Sequence, residues 1–220
     1  MNYEGNTMKD FTISMALVDY IPVLFFGIGA VILQRDLYNK MCKGIFAIFA
    51  AGTINVFMAG ALKATYKLLY ATGICDFEAL NAMFFPVQSI GFLLVGVGIV
   101  GMLCVKQTKG AVTMAVAPPI FNGTFLFVGF MVAGLGCMNA GLCYLAAKVK
   151  KKSAIVLFVL AFLCSLCMGY LSSKDFAEAA MNWIAEGVNI VGQSCFMGGS
   201  WMLHKAGLAD YQLENAGKNE

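Results

Sequence analysis

Glu178, Asn182, Glu186, Asn189 and Gln193 recur at gaps of four, four, three and four residues. That spacing puts all five side chains on one face of a helix. The opposite face, with Ala179, Ile184, Val188, Ile190 and Val191, is apolar. Amides alone in such a row would serve helix packing through hydrogen bonds between helices. A carboxylate among them can also ligate a cation, carry a proton or hold a polar solute. Glu186 sits in the middle of the row and is its expected centre, with Asn182, Asn189 and Gln193 as neighbours. Glu178, near the helix start, suits the positive end of the helix dipole.

Further polar residues interrupt other apolar runs: Asp19, Asn55, Lys63 and Gln88. Asp19 is expected to pair with Lys63, which could also meet an anionic solute. The alternative is that Lys63 and Lys67, four apart and flanked by Tyr66 and Tyr70, snorkel at a helix end and anchor it. Counting about 1.5 Å of rise per residue from one face places Asn55, Glu186 and Asn189 roughly 18–22 Å deep, and Asp19, Gln88 and Gln193 roughly 24–28 Å deep. Two polar layers are therefore expected.

These residues matter because of where the rest of the chain puts them. Of 220 residues, 60% are hydrophobic and 12% are charged. Soluble domains carry about 25% charged residues. So little polar surface cannot cover so much apolar side chain, which excludes a cytosolic enzyme, a disordered chain and a secreted disulfide scaffold. A net charge of +3, with the lysines at the ends of apolar runs, is membrane anchoring rather than a nucleic-acid face. The first ten residues lack a basic segment and a small-residue cleavage site, so no cleaved signal peptide is expected.

A bilayer core of about 30 Å takes roughly 20 apolar residues as helix. Six such runs occur: Phe11–Gln34, Gly44–Tyr70, Ala79–Val105, 120–147, Ser153–Ser173 and Phe176–His204. The uncharged stretch 110–147 is too long for one span, and Pro118-Pro119 splits it, leaving 110–117 as an interfacial or re-entrant piece. The expected fold is an all-α integral membrane protein, a six-helix bundle with seven spans as the alternative. It forms a single membrane domain with a polar, mobile tail at 207–220.

The two halves, 11–105 and 110–206, share a plan of helix, basic loop, helix, acidic connector and long third helix. The third helices contain PVQSIGF (86–92) and IVGQSCF (190–196). With three spans per half the second copy would be upside down, the inverted-repeat arrangement of many transporters. Six spans put both termini on one face, and the loop lysines divide too evenly to orient the chain; the slight lean is to termini inside.

Motifs for membrane enzymes are missing. The only histidine is His204, at a helix end, and Asp19 is the only aspartate inside a span. No HExxH, GxSxG or nucleotide-binding loop occurs. Six of the eight cysteines lie in apolar runs, where cysteine acts as a small hydrophobe. Neither a metal site nor a cofactor is expected.

The expected function is therefore a multi-pass transporter or channel of the cell membrane for a small solute or ion, with Glu186 as cation ligand or proton carrier. Two alternatives remain. One is a non-catalytic subunit or solute-capturing receptor docking on a membrane partner, or on a second copy, through glycine ridges and Ala47/Ala51. The other is a lipid-modifying enzyme whose basic KVKKK run holds headgroups.

Overall fold

The computed structural model describes residues 12–104, 124–171 and 179–212, and among these no strand occurs. The helices are α1 (Ile13–Val18), α2 (Tyr20–Leu37), α3 (Lys43–Ala71), α4 (Glu78–Cys104), α5 (Thr124–Lys148), α6 (Lys152–Leu171) and α7 (Ala179–Lys205). Five segments are long and apolar enough to cross a membrane: Ile13–Lys40, Lys43–Ala71, Glu78–Cys104, Phe125–Lys148 and Lys152–Leu171. The chain is thus a multi-pass membrane protein. Helix α7 is as long as these but interrupted by its polar row. The expected piece at 110–117, Glu178 and most of the acidic connector before α7 lie outside the described residues.

Local chemistry accounts for the breaks. Pro22 has no N–H for the carbonyl of Val18 and crowds it, and there the first span divides into α1 and α2 with Asp19 at the junction. Thr12 caps α1 by accepting from the Met15 N–H at 3.3 Å. Helix α7 ends in a glycine-based cap: Gly207 has φ +77°, the Leu208 N–H reaches the Leu203 carbonyl at 3.1 Å, and both leucines are fully buried. The start of the expected mobile tail is consequently docked. Lys40 reinforces it by donating to the carbonyls of Ala209, at 3.0 Å, and Tyr211.

Each long helix packs on the next, and α7 returns to α2, closing a ring. Close contacts fix the helix directions. Gly52 meets Gly91, Phe49 meets Gly98 and Ile45 meets Gly101, so α3 and α4 are antiparallel. Between α4 and α5 the register advances in the same sense: Phe85 with Phe127, Phe92 with Gly134, Ile99 with Gly141. These two helices are parallel. So are α2 and α7, with Gly29 against Phe196 and Asp36 against His204.

The inverted repeat is therefore corrected. Helices α2, α4, α5 and α7 all run from a first end, marked by Ile13 and Ala71, to a second end, marked by Leu37 and Lys205; α3 and α6 run back. The second half has the same orientation as the first. The offset that carries Gln88-Ser89 onto Gln193-Ser194 also carries the Ile99–Gly141 contact onto His204–Asp36, as a two-fold axis along the bundle requires. Expecting inversion assumed that three spans precede α5 and that α5 starts where α4 ends. It does not: Cys104 is at the second end and Thr124 at the first. The same fact places Thr12 and Gln212 at opposite ends, not on one face.

Small residues permit these approaches. A Cβ on Gly134 would lie 2.3 Å from the backbone of Phe92, whereas one on Gly136 meets nothing within 4 Å. Gly134→Ala should lower the thermal stability of the detergent-purified protein by roughly 1–3 kcal/mol, the usual penalty for overpacking. Gly136→Ala should leave it unchanged; equal melting temperatures for the two variants would remove the α4–α5 contact. Side-specific reporters fused before Thr12 and after Gln212 should answer from opposite faces of the membrane, and reporters answering from the same face would overturn the helix directions.

Candidate functional site

Six of the eight residues singled out by sequence line one cavity: Asp19, Lys63, Gln88, Glu186, Asn189 and Gln193, drawn from the α1–α2 junction, α3, α4 and α7. Lys67 lines it as well. Its volume is about 70 Å³. One water needs roughly 10–15 Å³ on such a measure, so the space suits a few waters or a small hydrated ion. The cavity lies in the half of the bundle nearer the first end, where Glu186 is about two turns into α7 and Lys67 one turn from the end of α3.

Each wall has a local cause. The break before Pro22 brings Asp19 to the bundle interior, with 6% of its surface exposed. Tyr20 fixes the junction to α3 through Thr65, oxygen to oxygen 2.8 Å. Gln88 lies half a turn beyond Pro86 in α4. Glu186 is 7% exposed, and its Oε1 has no hydrogen-bond partner among the described residues.

Asp19 pairs with Lys67, not with Lys63 as expected. The Lys63 ammonium lies 4.1 Å from the centre of the Phe84 ring, a cation–π contact. It remains within electrostatic reach of Asp19, Glu186 and Lys67. The carboxyl groups of Asp19 and Glu186 adjoin one another. Two acids and two amines thus surround one polar space, with formal charges that cancel.

Asn55 and Asn182 do not line the cavity. Asn55 had been placed level with Glu186 by counting Lys43 and Lys174 as the same side. Lys43 opens α3 at the second end, whereas α7 begins at the first. The polar residues expected in two layers, Asn55 apart, line this cavity together. Lys67 was legible beside Lys63, four residues on, but was read only as an anchor.

Beyond the cavity, toward the second end, aromatic rings fill the bundle. Phe26 stacks on Phe196 with centroids 5.2 Å apart and meets Phe92 edge-on at 6.1 Å; Phe158 meets Phe196 at 6.4 Å. Past this plug, His204 Nδ1 contacts both oxygens of the buried Asp36, at 2.9 and 3.1 Å. Neither residue was singled out from the sequence, because Asp36 reads as a loop charge next to Arg35 and pairs across 168 residues.

No group of three or more metal-ligating side chains of the His, Cys, Asp or Glu type occurs among the described residues. No family model matches this chain, and comparisons with curated proteins and with solved structures find no match.

Removing one member of a buried pair leaves the other charge uncompensated, at a cost of about 3–5 kcal/mol. Asp19→Ala or Lys67→Ala should each destabilise on that scale, while Asp19→Asn with Lys67→Met should recover most of the loss. Thermal unfolding in detergent measures the cycle; additive single effects would show that the two groups are not coupled.

Proposed function

We propose that the protein is a membrane transporter or channel for a small ion or a small charged solute, with the charge-balanced cavity around Glu186 as its binding site. The observation that carries this is convergence: ionisable and amide side chains from four helices meet in one buried polar space. Ionisable groups inside a membrane are expensive, and functional by default. Here the four formal charges balance, so a cation taken by Glu186 adds one positive charge, which loss of a proton from Lys63 would offset while Asp19 stays with Lys67. A proton can do the same. A zwitterion could bridge Lys63 and Glu186, though only after the cavity enlarges.

In this proposal α7 spans the membrane with the five more apolar segments. The halves are then parallel repeats about an axis along the membrane normal, a plan that transporters also use. Among the described residues the second end holds Arg35, Lys40, Lys43, Lys148, Lys150, Lys151, Lys152 and Lys205, while the first holds Asp76 and Glu78 in its connector. Basic residues favour the cytoplasmic side, so the second end faces inward and the charged cavity lies toward the outside. The host is the cell membrane.

A docking subunit is less well supported. Of the glycines expected as ridges, Gly91, Gly96, Gly98, Gly101, Gly134 and Gly141 are occupied by contacts within α3, α4 and α5, whereas Gly129 and Gly136, like Ala47 and Ala51, stay open.

The test is reconstitution in liposomes with an internal pH dye and trace alkali cations. Wild-type protein should dissipate a proton or cation gradient, and folded Glu186→Gln protein, alone or with Lys63→Met to keep the cavity neutral, should not. Flux that survives Glu186→Gln would take this carboxyl out of the mechanism.

A further inference from the structure

A second, smaller cavity adjoins the first and shares Phe26 and Gln193 with it. It has about 10 Å³ of space, and Asn139 of α5 and Ser165 of α6 supply its other polar groups. Asn139 is 4% exposed, and its Oδ1 has no hydrogen-bond partner among the described residues. Its Nδ2 donates to the Leu135 carbonyl at 2.9 Å, which fixes the amide orientation and leaves Oδ1 as the free acceptor. The Ser165 hydroxyl donates to the Ala161 carbonyl at 2.9 Å, so its oxygen can still accept.

The other half of the ring shows what is missing. The offset that relates Gln88 to Gln193 relates Gln34 to Asn139. Gln34 is satisfied across its helix pair, donating to the Thr53 hydroxyl at 2.6 Å. That bond crosses to a neighbouring helix, whereas the Asn139 amide bonds only within its own helix, to the Leu135 carbonyl, and its oxygen is left unpaired among the described residues. A buried water needs space for one probe sphere and two to four polar neighbours. The second cavity offers the space together with Asn139, Ser165 and the Gln193 side chain.

We propose that Asn139, Ser165 and Gln193 form a second binding site, which takes one water-sized hydrogen-bond donor and is divided from the charged cavity by the Phe26 ring. Its resident ligand is water. If the transport reading holds, on which this further role rests, the site is the next station on the path, and displacement of Phe26 from Phe196 joins the two. The site carries no formal charge, so a cation reaching it leaves the acids behind.

Radiolytic footprinting of the full-length protein in detergent, in ¹⁸O-labelled water, tests the site without any transported solute. Hydroxyl radicals form where water is bound, and Met138 lines the second cavity. Met138 is 4% exposed, and Met15, at 2%, lines neither cavity and serves as the control. Met138 should be oxidised severalfold more than Met15, and Asn139→Leu should bring it down to the control level. Should Asn139→Leu fail to fold, Ser165→Ala should still lower the labelling clearly. Equal oxidation of Met138 and Met15 in the wild type, or labelling unchanged by the variant that folds, overturns the site. Labelled Met138 in a protein that moves neither protons nor cations would support the site and remove the transport reading instead.

Discussion

Charge neutrality in a low-dielectric interior is the constraint on which this structure depends. An unpaired ion deep in a bilayer costs several kcal/mol, by about 2.5–3.5 on the gentler scales. Asp19 and Glu186 are both more than nine-tenths buried, and each alone would carry that penalty. Lys67 and Lys63 offset it, and they reach the acids only because α3 packs antiparallel to α2 while α7 packs parallel to it. The helix order therefore serves the electrostatics. A shift of α3 by half a turn would turn both ammonium groups away and leave two adjoining carboxyl groups to repel each other.

The two halves are alike in direction and unlike in charge. Under the offset that superposes Gln88 on Gln193, Asp19 falls on Thr124 and Glu186 on Asn81. Asp19, Lys63 and Lys67 lie in the first half and Glu186 in the second, and none of the residues related to them by the offset, Thr124, Met168, Ser172 and Asn81, is charged. A symmetric ring would offer equivalent sites on both sides of its axis. The charged cavity instead stands toward the first end, and the aromatic contacts of Phe26, Phe92, Phe158 and Phe196 fill the bundle beyond it. Closure at the second end is separate and polar. There His204 and the fully buried Asp36 join α7 to α2, and Lys40 holds the chain after α7. The two closing contacts thus differ both in chemistry and in depth.

Much of this was legible in the residues. Long apolar runs fix helix positions to within a few residues because a bilayer permits little else. The polar row of α7 named three of the cavity's polar residues, Glu186, Asn189 and Gln193, since a helix face is a local property and gaps of three and four are enough to define it. The break at Asp19 was written in Pro22. What was not legible were the relations between helices. Direction depends on how many times the chain crosses between α4 and α5, and a stretch such as 110–123, with Pro118-Pro119 in an uncharged run, has no periodicity that decides between a loop and a crossing. Reading α5 as starting where α4 ends reverses half the molecule, moves a terminus to the other face and puts Asn55 level with Glu186. Partners across the bundle were hidden for the same reason: Lys63 and Lys67 are equally good sequence partners for Asp19, and only the side-chain geometry selects Lys67.

Correcting the helix directions also changes what the lysines mean. Divided over six crossings they nearly cancel between the two faces. Grouped by the observed ends they do not: the α2–α3 turn, the α5–α6 turn and the end of α7 bring eight basic side chains to one rim, while the α3–α4 connector opposite carries acids. Basic side chains at one rim sit well among anionic headgroups, and the acids at the other have no such partner. The charge pattern and the packing pattern are independent properties of the chain. Loops set the first, and glycine contacts inside the bundle set the second. Together they put the basic rim at one end of the bundle and the carboxyl groups of the cavity nearer the acidic connector at the other.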